Sequence, residues 1–367
     1  MVLSQKLRPF WPVLIVFLVS SAFILWRLAQ AGWDPIALVE IGTRYSEGLE
    51  DGTEGYDGQF AYYIAMEPDP ATVEPKLDVP AYRYQRILYP ILARISAFAQ
   101  DEWIPWTLIA IALISQVVAT FILTRYLIEH QIPTRYALIY GLWVGLIVGV
   151  ATDLFEPLTF ACIVGAYYAR YRNRRTLSYA LFTLALFTKE TALIFWGAAV
   201  VADWIEGRRG KDFFQGLVPG VMYGLWQIWL WITFGSFGLT SGGAMATPFE
   251  WIPYMGFIRI GGDSIEVLIL FALIFIPAVI IPSLWGIFSS GSAILKEREI
   301  NIHVLALLFT ALAIAFLPFS TFREPLALLR MATGLVLAVI LFSIDRGLRR
   351  PLNYGMFWIF LLVVIFR

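Results

Sequence analysis

The sequence predicts an all-α polytopic membrane protein of about eleven transmembrane helices, a single integral-membrane domain over 1–367 with a large outer first loop bearing juxtamembrane helices. Three observations carry that prediction. Of the 367 residues, 59% are hydrophobic and only 15% charged, with a mean hydropathy of +0.72; soluble domains lie nearer half apolar and a quarter charged. Apolar runs of near-spanning length recur along the chain, and the short basic segments between them can all be placed on one side of a bilayer. The 14 Trp, 17 Tyr and 28 Phe suit interfacial belts and helix packing in lipid.

The first run follows Lys6 and Arg8, and Ala29-Gln30-Ala31 after it resembles a signal-peptidase site. Its apolar core, Phe10 to Trp26, is 17 residues long, and Arg27 stands before the small residues. It therefore reads as an uncleaved first helix, 10–29. Further runs fall at 104–125, 136–152, 157–170, 213–234, 264–288, 301–319, 325–344 and 352–366. A hydrocarbon core of roughly 30 Å needs about 20 helical residues, so the shorter runs imply tilt or local thinning. Residues 87–99 are too short to span easily and fit an interfacial helix.

Segment 177–203 sets the topology. As one helix it buries Lys189-Glu190 near mid-bilayer and throws "GRRGK" (207–211), "KER" (296–298) and "RGLRR" (346–350) outside, against the positive-inside bias. As a hairpin with "TKET" (188–191) at its tip, it leaves every short basic loop inside. The hairpin reading gives a multi-pass protein of the bacterial cytoplasmic membrane, N-terminus cytoplasmic and C-terminus extracytoplasmic. No internal repeat is visible, which weakens an inverted-repeat transporter reading.

This threading collects charge on the outer face from four separate loops: the first loop (30–103), Asp153 and Glu156 in "TDLFEP", Lys189-Glu190, and Arg323-Glu324 in "FREP". Charges at helix ends on one surface suggest a shared cavity. In the first loop 13 carboxylates stand against five cations between Asp34 and Glu102, and most read as a solvated face. Asp57 is set apart. Gly55 and Gly58 bracket it, and "QFAYYIAM" after it reads as a short helix stopped by Glu67-Pro68. The plainer reading of Asp57 is a helix N-cap worth about 1 kcal/mol; a catalytic reading needs a free carboxylate oxygen. In "YRYQRILYP" (82–90), Arg83 and Arg86 are neighbours on one helical face, suited to a phosphate or to headgroup anchoring. The second outer loop, 235–263, holds seven glycines in 29 residues. It reads as a linker with an interfacial helix, a substrate-ordered flap being the alternative.

Compartment narrows the chemistry. An outer membrane surface offers no ATP or sugar nucleotide, and no P-loop or dinucleotide fingerprint occurs in the cytoplasmic loops. A group-transfer enzyme there takes its activated donor from the lipid, and a polyprenyl-phosphate sugar fits, with its tail between helices and its sugar in the cavity. Arg83, Arg86, Lys189 and Arg323 are the candidate cations for the leaving phosphate, and Asp57 the base for the acceptor hydroxyl. Tyr56, Gln59 and Glu190 are candidate positioning groups. Asp34, Asp153 and Glu156 are reserve acids, any of which could hold a divalent cation. His130 and His303 lie in or beside cytoplasmic loops, so no zinc site is expected. Cys162 reads as a small buried hydrophobe, and the zero net charge leaves no nucleic-acid footprint.

At these residues the chain resembles the GT-C glycosyltransferase superfamily. "YDGQF" (56–60) followed by "AYRYQRILYP" (81–90) resembles bacterial cell-surface glycopolymer formation proteins, and "FTKET" (187–191) is similar to the lysine–glutamate of GT-C polyprenyl-phosphate sugar transferases. The resemblance implies Asp57 as base and Lys189 as a phosphate contact, with a glycan or lipid of the cell envelope as acceptor. The chain departs from many GT-C enzymes in having no acidic pair early in the loop, Asp34 being a distant second acid, and no large outer C-terminal domain. The alternatives from other classes are a lipid or glycan transporter or flippase, and a non-catalytic envelope assembly component.

Overall fold

Backbone placement in the computed structural model covers residues 8–207 and 210–365. Of the basic residues used to orient the chain, Lys6, Arg208 and Arg209 lie outside the described residues. Among the described residues every regular element is a helix. Five helices are long and apolar enough to cross a membrane: Trp11–Gln30, Asp101–Glu129, Phe213–Phe234, Ile265–Glu297 and Pro325–Asp345. A sixth is added if Thr134–Gly141 and Val144–Ala151, bent by 53° at their break, count as one span. These are the features of a multi-pass membrane protein.

The expectation of about eleven spans is therefore corrected to five or six. The other apolar runs form shorter helices, among them Glu156–Tyr171 of 16 residues and Arg175–Thr188, Ala192–Ile205 and Ile302–Ala315 of 14 each. At 1.5 Å per residue these reach about 21–24 Å, short of a roughly 30 Å core. Their hydrophobicity reflects burial in protein as much as contact with lipid: Phe160, Phe182, Phe195 and Val304 all lie in the central core. The run 352–366 resolves into Arg349–Gly355 followed by a 3-10 stretch, Met356–Ile365.

Segment 177–203 is a hairpin. Its first helix ends at Lys189, which is extended at φ −160°, ψ 136°. Near the end of the second helix Asp203 accepts hydrogen bonds from Arg175 (2.8 Å) and Tyr179 (2.5 Å) at the start of the first. Two helices about 21 Å long can meet there only by running back along each other.

Lipid exposure follows helical periodicity. Val218, Val221, Leu225, Ile228 and Ile232 form an exposed stripe on Lys211–Phe234. Pro325–Asp345 is the opposite case, almost wholly enclosed by its neighbours. Ile265–Glu297 passes Pro277 and Pro282 by widening to a π turn at Ile276–Ile280, which absorbs the missing amide donors. In the first loop, Leu88–Ser96 is only nine residues long, too short to span, and lies on the Ile104–Glu129 helix, where the Tyr89 hydroxyl donates to the Leu108 carbonyl (2.8 Å). Residues 235–263 are tied down at one end of the bundle: Glu250 N donates to Phe316 O (3.1 Å) and Thr247 N to Ser320 Oγ (3.1 Å).

Candidate functional site

The first loop doubles back on itself to present Asp57. Tyr56 N donates to Glu40 O (2.9 Å), and both ends of the Gln59 amide are taken by backbone, Oε1 by Gly42 N (3.1 Å) and Nε2 by Glu54 O (2.7 Å). Gln59 thus buttresses the loop. Gly55 turns at φ +68°, a conformation that favours glycine. Gly58 then lies so close to the neighbouring chain that a Cβ on it would fall 2.2 Å from Thr152 O.

Asp57 occupies the N-cap position of Gly58–Met66, yet its side chain makes no capping bond. That corrects the cap reading, for a physical reason: guanidinium donors are stronger than backbone amides. Arg83 Nη1 donates to Asp57 Oδ1 and Arg330 Nη2 to Oδ2, each at 2.9 Å. Arg83 is also gripped by both oxygens of Asp78, through Nε at 2.7 Å and Nη2 at 2.8 Å, and lies 4.1 Å above the Phe60 ring. Arg330 donates through Nε to Glu156 Oε1 (3.0 Å) and through Nη1 to the Tyr56 hydroxyl (2.9 Å).

Close packing brings Arg330 here. Pro325–Met331 lies against Val144–Ala151, where a Cβ on Gly145 would meet Leu329 O at 2.4 Å and the Trp143 indole donates to that same carbonyl (2.9 Å). Beneath Arg330, Lys189 Nζ donates to Glu156 Oε1 (2.6 Å). Beside it Arg86 forks onto Glu190, Nε to Oε2 at 2.8 Å and Nη2 to Oε1 at 2.5 Å, with Tyr82 also accepting from it (2.6 Å). Four acids (Asp57, Asp78, Glu156, Glu190) meet four cations (Arg83, Arg86, Lys189, Arg330).

A cavity of about 550 Å³ opens over this network. Tyr56, Asp57, Gln59, Phe60, Asp78, Tyr82 and Arg83 line it from the first loop, Gly243–Ala246 from the second, and Arg323 and Glu324 from the opposite rim. Asp57 is the open member: its side chain is 30% exposed, against 7% for Arg83 and 5% for Arg330.

Burial pushes the Asp57 carboxyl up, but the Arg83 and Arg330 guanidiniums outweigh burial and hold it well below the usual carboxylate range. Glu324 moves the other way, raised chiefly by burial. Because the folded value of Asp57 lies below the unfolded one of about 3.9, its ion pairs stabilise the fold fully above that value. The contribution is lost as pH falls through the depressed folded value. The melting-temperature gap between wild type and Asp57→Asn is therefore expected to stay flat from about pH 8 to about pH 5 and to narrow only below about pH 4. A gap that stays flat down to about pH 3 in thermal melts shows an ordinary, unclamped carboxylate, whose affinity for a proton is the same folded and unfolded.

The structure brings Tyr56, Asp57, Arg83, Arg86, Lys189, Glu190 and Glu156 into one network. Lys189, spent on Glu156, is not among the lining residues, and neither are Arg86 and Arg330, which reach the cavity only through the lining residues they hold, Arg86 through Tyr82 and Arg330 through Tyr56 and Asp57. Arg323 stands on the rim over the Phe319 ring (5.7 Å). Asp34 is elsewhere, accepting from Ile36 N (3.0 Å) to cap a short 3-10 turn. Asp153 is fully buried against Gly58, its two carboxylate oxygens without a hydrogen-bond partner among the described residues. No three His, Cys, Asp or Glu side chains among the described residues gather as a metal would need, and all four network acids already face guanidiniums. The sequence by itself singles out neither Arg330 nor, among the 13 acids of the first loop, Asp78. A lone arginine in "PLALLRMATGLVLAV" (325–339) was the available signal, since an ion in an apolar run is costly unless it is used.

No protein-family model matches the chain, and neither a curated protein nor a solved structure matches it.

Proposed function

We propose that this protein is a glycosyltransferase that moves a sugar from a polyprenyl-phosphate donor to a cell-envelope acceptor at the extracytoplasmic face of the bacterial cytoplasmic membrane. One observation carries the reading: a carboxylate flanked by two guanidiniums at the wall of a cavity with aromatic sides, in a protein with five or six apolar helices of spanning length. Anion, cation and hydroxyl-binding groups are what transfer from a phosphate-linked sugar requires in one place. The loop motif's resemblance to GT-C enzymes points the same way.

In this reading the acceptor hydroxyl oxygen attacks the anomeric carbon from the face opposite the phosphate. The new C–O bond forms as the bond from the anomeric carbon to the phosphate oxygen breaks, the hydroxyl proton passes to Asp57, and polyprenyl phosphate leaves with the electron pair. The configuration at the anomeric carbon inverts. Arg83 and Arg330 bear the charge that grows on the leaving phosphate, and Arg323 on the rim adds to the field. Arg86 and Lys189, each held by its own glutamate, keep the floor rigid and balanced. Tyr56 steadies Arg330, and Gln59 steadies the loop that carries Asp57.

Transfer from lipid-linked sugars by purified protein in lipid nanodiscs tests the reading. Asp57→Asn is expected to lower the rate about a hundredfold, the low end for removal of a general base. Turnover near that of wild type removes Asp57 from the role. Absence of transfer from any lipid-linked donor by the wild type removes the function.

A further inference from the structure

Three acids meet Arg83 and Arg330, and they are not equivalent. Asp78 grips Arg83 through two bonds and is 6% exposed; Glu156 takes Arg330 Nε and is 1% exposed. Asp57 gives one oxygen to each arginine and is 30% exposed. Each guanidinium is thus anchored from behind by a buried acid, Arg83 also by the Phe60 ring beneath it. Taking Asp57 away leaves two fixed, charged donors aimed at one open point.

We propose that the Asp57 carboxylate is a resident anion in a two-arginine phosphate site, and that an incoming phosphodiester replaces it between Arg83 and Arg330. The exchange is like for like. A phosphodiester, like a carboxylate, spreads a single negative charge over two oxygens, and it accepts the same two N–H bonds. Tyr56, which lines the cavity and whose hydroxyl accepts from Arg330, is a third polar group beside the site.

The exchange also orders the reaction. While two guanidiniums hold Asp57 it is a poor base. Once the diester has neutralised them, the carboxylate swings free, between Gly55 and Gly58, and regains its affinity for a proton. The base is then switched on only with donor in place, which keeps water and stray hydroxyls from being activated in the empty site. That the diester is a sugar donor rests on the transferase reading; the exchange itself rests on the bonds and exposures above.

Titration calorimetry on purified wild type and Asp57→Asn, with dimethyl phosphate and geranyl methyl phosphate as probes, tests the exchange. Asp57→Asn is expected to bind the diesters at least about tenfold tighter than wild type, since it has no resident charge to expel, and Arg83→Gln to lose binding. Equal or weaker binding by Asp57→Asn overturns the proposal. A preference for the geranyl diester identifies a lipid as the natural source and equal affinity a water-soluble one; either outcome supports the exchange. If Asp57→Asn does not fold, wild type suffices. Diester binding at about pH 4, followed in two buffers of different ionisation heat, is expected to take up protons as Asp57 leaves its cations, because a freed carboxylate near its ordinary value of about 3.9 is close to half protonated there and the diesters do not titrate. No uptake overturns the exchange. Exchange without sugar transfer leaves this inference standing and removes the transferase reading; transfer without exchange does the reverse.

Discussion

Arg330→Met is expected to destabilise the protein by about 3–5 kcal/mol, the cost of breaking a buried ion pair by removing one partner, and to abolish any activity of the cavity. Arg330 is 5% exposed and serves Glu156, Tyr56 and Asp57 at once. Without it the network holds four acids against three cations, and the uncompensated charge sits where little water reaches. Lys189 still reaches Glu156 and Arg83 still reaches Asp57, so the fold is expected to survive with a lower melting temperature. The diagnostic is the double variant. Arg330→Met with Glu156→Gln restores the balance and is expected to recover more than half of the lost stability, while activity stays absent because the leaving phosphate has lost one of its two arginines. Melting curves in detergent read the first and a transfer assay the second. Additive losses in the double variant show that charge balance is not what holds the site.

Arg330 also marks where the sequence stopped being legible. The polar residues in loops could be read because charge is rare in this chain: Asp57 between glycines, Arg83 and Arg86 three apart, and Lys189-Glu190 at a hairpin tip all lie in the network. The hairpin followed from loop charge, and Asp203 returning to Arg175 and Tyr179 closes it. Hydropathy marked the apolar segments but not what surrounds them. Glu156–Tyr171 and Ala192–Ile205 are apolar because other helices cover them, and a burial signal was counted as a span. Arg330 was hidden for the same reason, lying inside a run read as membrane. Asp78 was one acid among 13 in an acidic loop; only the fold that sets Val79–Arg83 as a turn brings its two oxygens to Arg83. Asp57's role as a cap was reasonable from local sequence, and two arginines from elsewhere in the chain outbid the backbone.

Gly58→Ala is expected to separate binding from catalysis without touching a charge. The added Cβ would fall 2.2 Å from the Thr152 carbonyl oxygen. Both sides of that contact are backbone, so Gly58–Met66 must withdraw by about 1 Å, and a displacement of that size at a reacting group costs on the order of a hundredfold in rate. The movement carries Asp57, the neighbouring residue, away from its arginines. Arg83 and Arg330 do not follow, because Asp78 and Glu156 hold them from behind. The variant should therefore bind a geranyl phosphodiester at least as tightly as wild type while losing about two orders of magnitude in transfer, together with some thermal stability. Gly224→Ala is the matched control, since a Cβ there meets nothing within 4 Å on the Lys211–Phe234 helix, and it should leave both properties unchanged. If Gly58→Ala loses diester binding in step with transfer, the arginines depend on Asp57 for their position, and the anchoring by Asp78 and Glu156 is too weak to make a phosphate site by itself.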